Sequence, residues 1–191
     1  MKTRIFTVPN ELTFLRLAFI PFFIIAIKYG RYDMALGILI AAGISDMLDG
    51  LLARTLNQKT ALGAYLDPIA DKLLLSSSYF ALALEGKIPW WLAIMVLGRD
   101  VLILTACAVI LLAVGFRSFP PSVWGKATTF CEIVLVFTVL VFAVWNIALL
   151  GHVARIGRYV VAALVMISGL HYSMIVSRKL AAGSVEATAR K

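Results

Sequence analysis

Six apolar stretches separated by short polar breaks leave this chain few ways to fold. Each approaches the ~20 residues an α-helix needs to cross a ~30 Å hydrocarbon core. No water reaches backbone polar groups there, so only helices or closed barrels span it, and runs of this length favour helices. The predicted spans are 11–28, 33–54, a third ending near residue 84, then 90–114, 124–145 and 155–176. Tyr29-Gly30-Arg31-Tyr32 and Glu85-Gly86-Lys87 mark tight turns, a polar loop covers 55–60, and Pro120-Pro121 breaks the pattern before the fifth span. Pro68 leaves two starts open for the third helix, one at Asp67-Pro68 and one earlier with a kink at that point. The fold expected is all-α: a polytopic membrane protein with six transmembrane helices in one bundle, residues 1–191 forming a single domain. Residues 1–10 are expected as an interfacial N-terminal segment and 178–191 as a frayed cytoplasmic tail.

Composition agrees with this reading. The chain is 62% hydrophobic and 15% charged, where a soluble domain is ~45–50% apolar. The net charge of +8 does not imply nucleic acid, because no basic run carries interleaved exposed aromatics. Loop lysines and arginines instead set topology and attract anionic lipid. With the N-terminus inside, Lys2, Arg4, Arg54, Lys59, Arg117, Lys126, Arg178, Lys179, Arg190 and Lys191 fall on the inner side. Lys28, Arg31, Lys87, Arg155 and Arg158 fall on the other, and this asymmetry places both termini in the cytoplasm. Cys107 and Cys131 lie inside apolar runs without metal-ligand spacing and read as reduced thiols. The start, MKTRIFTVPNELTFLR, has no clean signal-peptide core, so the first apolar run is expected to stay as a helix. His152 reads as a loop residue and His171 as a packed one.

Against this apolar background stand four aspartates, Asp46, Asp49, Asp67 and Asp71, in the hairpin joining the second and third spans. Asp46 and Asp49 are spaced i, i+3 and Asp67 and Asp71 i, i+4, so each pair shares one helix face. A carboxylate at the centre of a bilayer costs about 2.5–3.5 kcal/mol on insertion scales, and intramembrane acids are functional by default. Divalent cations hold such charge together, and two-metal sites activate phosphoryl chemistry. By the charge asymmetry the hairpin faces the cytoplasm.

Read as a pattern, residues 46–71 give D-x2-D-G-x2-A-R-x8-G-x3-D-x3-D, comprising Asp46, Asp49, Gly50, Ala53, Arg54, Gly63, Asp67 and Asp71. This resembles the signature of the CDP-alcohol phosphatidyltransferases at every position, and the six-span layout with cytoplasmic termini is similar over the whole length. Pro9-Asn10-x-Leu12-Thr13-x2-Arg16 looks like the opening of the branch that makes glycerol-based phospholipids, and Trp124-Gly125-Lys126 like the start of that branch's fifth helix. The resemblance implies Mg²⁺-dependent transfer of a phosphatidyl group from CDP-diacylglycerol to an alcohol, releasing CMP. It implies two Mg²⁺, with Mn²⁺ as a substitute, held by Asp46, Asp49, Asp67 and Asp71. Asp71 would also be the general base, and CDP would rest on Asp46, Asp49, Gly50, Ala53, Arg54, Gly63 and Asp67. Arg16, Arg99 and Lys126 would hold the acceptor's phosphate. A homodimer in a bacterial cytoplasmic membrane, with its active site facing the cytoplasm, is implied in the same way.

The acceptor expected first is sn-glycerol 3-phosphate, giving phosphatidylglycerol phosphate. Arg99-Asp100 departs from the Arg-Glu usual with that acceptor, and no basic residue follows until Arg117. The Arg-Asp pair looks more like cardiolipin synthases of the same superfamily, whose acceptor is phosphatidylglycerol, so that is the second expectation. A third, from another class, is a divalent-cation transporter. It would need polar residues continuing across the bilayer, where the second span offers none over 35–44 and the third mainly Ser76, Ser77 and Ser78.

Overall fold

A computed structural model of the chain describes residues 8–55, 61–114 and 123–188, with side chains described at 14–48, 70–105 and 124–174. The six apolar runs fold as six helices: α1 (Val8–Lys28), α2 (Tyr32–Thr55), α3 (Ala61–Leu84), α4 (Trp90–Val114), α5 (Val123–Trp145) and α6 (Ala148–Thr188). No strand occurs among the described residues. Of the interfacial segment expected at 1–10, residues 1–7 lie outside the described residues, as do the loop at 56–60, the Pro120-Pro121 break and residues 189–191, while residues 8–10 belong to α1.

Of the two starts left open for α3 the earlier one holds: the helix begins at Ala61, and Pro68 falls inside its bounds. The bounds of two other helices differ from the sequence reading. Helix α1 begins at Val8, three residues before the predicted span. Helix α6 starts at Ala148, before Arg155, and carries His152 as a helical residue instead of a loop residue. The run Ala148-Leu149-Leu150 consists of strong helix formers, and the polar Arg155 and Arg158 are an exposed and a half-buried face rather than a beginning. The same helix continues to Thr188 and overturns the frayed tail from 178, because Lys179, Leu180, Ala181, Ala182 and Glu186 favour helix.

The predicted turns close by a specific device. Gly30 adopts φ +67°, its N–H donates to Ile27 O at 3.0 Å, and that of Arg31 donates to Ala26 O at 2.8 Å. Gly86 (φ +66°) repeats the arrangement, with Gly86 N–H to Ala83 O at 3.1 Å and Lys87 N–H to Leu82 O at 2.8 Å. Both are Schellman caps, whose left-handed residue glycine adopts without a Cβ penalty. Between α5 and α6 the left-handed residue is Asn146 (φ 51°), and its N–H donates to Phe142 O at 2.8 Å. Asparagine tolerates this region better than other side chains.

The chain divides into two compact units, Met1–Trp90 with Val136–Ala154, and Trp91–Leu135 with Arg155–Lys191. In the first, α1 packs on α2 and α3. Its core combines Phe23, Ile27, Leu36, Leu74, Tyr79 and Leu82 with Ala26, Ala35, Ala42 and Ala70, small residues that let helix backbones approach closely. Gly151 belongs to this packing, since a Cβ there would stand 2.9 Å from Phe142 Cε2. Gly151→Ala should therefore lower stability by roughly 1 kcal/mol, the half-buried ring swinging aside. Gly157→Ala, facing only the flexible Leu135 Cδ1 at 3.1 Å, should be close to neutral, and thermal unfolding in detergent would separate the two.

The second unit is built on Leu92, Ala93, Val96, Leu135, Val161 and Val165, with Trp91 stacked on Tyr159 at 6.0 Å. Outward-facing apolar side chains are numerous in both units, among them Phe22, Ile25, Phe130, Leu149, Ile156 and Leu170. Two stretches among the described residues, Trp124–Trp145 and Ala148–Met174, are long and apolar enough to cross a membrane.

Candidate active site

The glycine-capped turns fix a common level from which positions along α1, α2 and α3 can be counted. Arg16 lies 12 residues before Lys28, Asp46 14 residues after Tyr32, and Asp71 13 residues before Leu84. At 1.5 Å per residue all three stand about 18–21 Å from that end. Because α1 packs on both other helices, an arginine at that height meets both aspartates.

The contacts bear this out. Arg16 Nη2 lies 2.8 Å from Asp46 Oδ1, and Nη1 donates to Asp71 Oδ1. The arginine side chain is 1% exposed, while each aspartate side chain is 51% exposed. A guanidinium presents its N–H donors in a planar fork, so one arginine can bridge two carboxylates where lysine, a point charge, grips less specifically. The pair of carboxylates is thus anchored at its base by a buried cation and open on its other side.

The remaining motif residues continue from these two positions. Asp49, Gly50, Ala53 and Arg54 follow Asp46 on the last turns of α2, and Gly63 and Asp67 precede Asp71 on the first turns of α3. Their side chains lie outside the described residues. Among the described residues no three His, Cys, Asp or Glu side chains group as a metal site. What the described part establishes is that carboxylates from two helices converge on a single cation. Such a donor set suits a hard divalent cation with oxygen ligands.

A second polar group is buried in the other unit. Arg99 Nη1 donates to Asp100 Oδ1 at 2.8 Å and Nη2 donates to Ser168 Oγ at 3.1 Å. Thr128 donates to Trp124 O at 2.7 Å and also reaches Leu164 O at 3.3 Å. Glu132, one turn further along α5, is fully buried. Lys126 is exposed on α5. The three basic residues expected around an acceptor therefore divide: Arg16 is engaged with the aspartate pair, Arg99 with Asp100 and Ser168, and Lys126 is open.

The bridging role of Arg16 was not legible from the motif, which ends on the aspartates. Ser168 was also missed, as an isolated serine in an apolar run carries no signal. Two of the α3 serines bond to their own helix: Ser77 Oγ donates to Leu73 O at 2.6 Å and Ser78 Oγ to Leu74 O at 2.8 Å. Bonded to their own helix, these hydroxyls do not support an ion path beyond the aspartates.

Comparison with known proteins points the same way. A family model described as CDP-alcohol phosphatidyltransferase matches residues 6–175. A probable phosphatidylglycerophosphate synthase of Mycobacterium tuberculosis is 38% identical over 142 residues, covering 71% of this chain and 66% of the relative. A putative cardiolipin synthase of Mycobacterium bovis is 38% identical over 130 residues, covering 68% and 62%. The cardiolipin synthase (CMP-forming) of Rattus norvegicus is 33% identical over 162 residues, covering 74% and 52%. The matched stretch thus spans between about half and two thirds of these relatives' own lengths.

Proposed function

We propose that this chain, which belongs to the CDP-alcohol phosphatidyltransferase family, transfers the phosphatidyl group of CDP-diacylglycerol to a glycerol-type alcohol and releases CMP. The observation that carries this reading is the convergence of Asp46 and Asp71, from α2 and α3, on one cation. The six helices are proposed to cross the membrane, with both termini and the aspartates on the cytoplasmic side. Their lengths, 21 residues for the shortest, and the apolar side chains on their outer faces support six spans over two. The location proposed is a bacterial cytoplasmic membrane, supported by the likeness to the Mycobacterium tuberculosis relative. A homodimer rests on the family resemblance.

In this reading Asp46, Asp49, Asp67 and Asp71 hold two Mg²⁺. When bound, these ions neutralise the pyrophosphate and stabilise CMP as it leaves. Gly50, Ala53 and Gly63 leave room for the nucleotide against the helix backbones, and Arg54 supplies a cation for phosphate. Asp71, half open to reactants, accepts the proton of the acceptor hydroxyl as that oxygen bonds to the lipid-bearing phosphorus. The bond between that phosphorus and the bridging oxygen breaks, and CMP departs with the electron pair.

The first acceptor is sn-glycerol 3-phosphate, supported by the glycerophospholipid-type N-terminal run and by the name of the M. tuberculosis relative. A second reading, phosphatidylglycerol as acceptor and cardiolipin as product, is favoured by Arg99. Its charge is already matched by Asp100, which suits a phosphodiester lipid better than a dianionic phosphate. A panel of glycerol 3-phosphate, phosphatidylglycerol, serine and inositol phosphate with CDP-diacylglycerol, products identified by mass, tests both. Phosphatidylglycerol phosphate supports the first and cardiolipin the second. A product from serine or inositol phosphate alone contradicts both.

A further inference from the structure

The aspartate pair already has a cation, and that cation belongs to the chain. Arg16 is 1% exposed and touches Oδ1 of both Asp46 and Asp71. A divalent ion approaching those carboxylates meets a fixed positive charge at the same oxygens. Repulsion between them acts over a few ångströms in a partly buried setting, where screening is weak. Arginine cannot relieve it by losing its proton.

We infer that Arg16 is a resident counter-cation which holds the aspartate pair together without metal and opposes divalent binding until the nucleotide's phosphates arrive. This inference rests on the reading of the aspartates as a divalent-cation site. In the empty site the guanidinium prevents two facing carboxylates from repelling each other and fixes α1 against α2 and α3. It also lowers the affinity for a second cation. Pyrophosphate adds negative charge, which compensates the surplus positive charge, so metal and nucleotide bind together rather than separately. By linkage each raises the other's affinity by the same factor. Arg16 is thus a positioning residue that makes metal occupancy depend on substrate.

The test is Mn²⁺ binding to the purified full-length protein in detergent, followed by titration calorimetry or Mn²⁺ spin resonance, with and without soluble CDP. Arg16→Met keeps the length of the side chain without its charge, and Arg16→Lys keeps the charge without the fork. Without CDP, Arg16→Met should bind Mn²⁺ about tenfold more tightly than the unaltered protein. Its metal-free form should melt lower, and saturating Mn²⁺ should close that gap. CDP should tighten Mn²⁺ binding about tenfold in the unaltered protein and by much less in Arg16→Met. If Arg16→Met does not fold, Arg16→Lys carries the test, with CDP tightening Mn²⁺ binding as in the unaltered protein. Equal or weaker Mn²⁺ binding in Arg16→Met overturns the inference while leaving the metal site standing, as would a CDP effect absent from Arg16→Lys. No Mn²⁺ binding by any form, even with CDP, overturns the metal site itself and the inference with it.

Discussion

Asp71→Asn should lower CMP release by about 10³-fold while leaving the protein folded, the size of effect a positioned general base contributes. Asparagine keeps the shape of aspartate and an oxygen that accepts from Arg16 Nη1, so the link between α1 and α3 survives. It cannot take a proton from an attacking hydroxyl. The loss should therefore appear in turnover, with the melting temperature in detergent changed little. Turnover at the original rate in this variant would remove Asp71 as the base. A collapse of stability alongside the loss would mean that the carboxylate's main work is structural.

Arg99→Ala should have the largest effect on stability, about 3–5 kcal/mol, because it breaks a buried ion pair by removing one partner. Asp100 is buried beside Arg99 on α4 and receives its Nη1 at 2.8 Å, while Nη2 ties α4 to Ser168 on α6. Truncating the arginine removes this ion-pair partner from a buried carboxylate and cuts the tie to Ser168. Removing both partners should be milder than removing the arginine alone, since no buried carboxylate then remains that has lost its ion-pair partner. Denaturant unfolding of Arg99→Ala, Asp100→Ala and the double variant measures this. Strictly additive losses would show that the two side chains are not coupled. The same variants in the acceptor panel show whether the pair also bears on acceptor choice.

Much of this molecule was readable from the chain, and the parts that were not have a common cause. Apolar run length fixed the number of helices, and Gly30 and Gly86 fixed where α1 and α3 end, because only a residue at ease with positive φ closes a Schellman cap cheaply. Starts were harder. Pro68 left two starts open for α3, and Ala61, Leu62 and Ala64 begin it at the earlier one. Arg155 looked like a boundary, yet α6 begins seven residues earlier, at Ala148. There a polar residue was given more weight than the helix propensity of Ala148, Leu149 and Leu150.

The site divides in the same way. The aspartates announced themselves, because charge in an apolar run is expensive and their spacing is fixed. Arg16 did not, because its partners are 30 and 55 residues away in sequence and lie on helices whose relative height had to be known first. That height was recoverable by counting residues back from the two glycine turns. Ser168 was not recoverable, since nothing about one serine in α6 indicates that an arginine on α4 will reach it.

The proposed activity requires the aspartate hairpin to be a divalent-cation site that acts on CDP-diacylglycerol. The decisive measurement is CMP release from CDP-diacylglycerol by the purified full-length protein, with glycerol 3-phosphate and with phosphatidylglycerol, in Mg²⁺ and again in excess EDTA. CMP that appears in Mg²⁺ with at least one acceptor and vanishes with EDTA is the predicted result. No CMP with either acceptor, or release indifferent to EDTA, would contradict it.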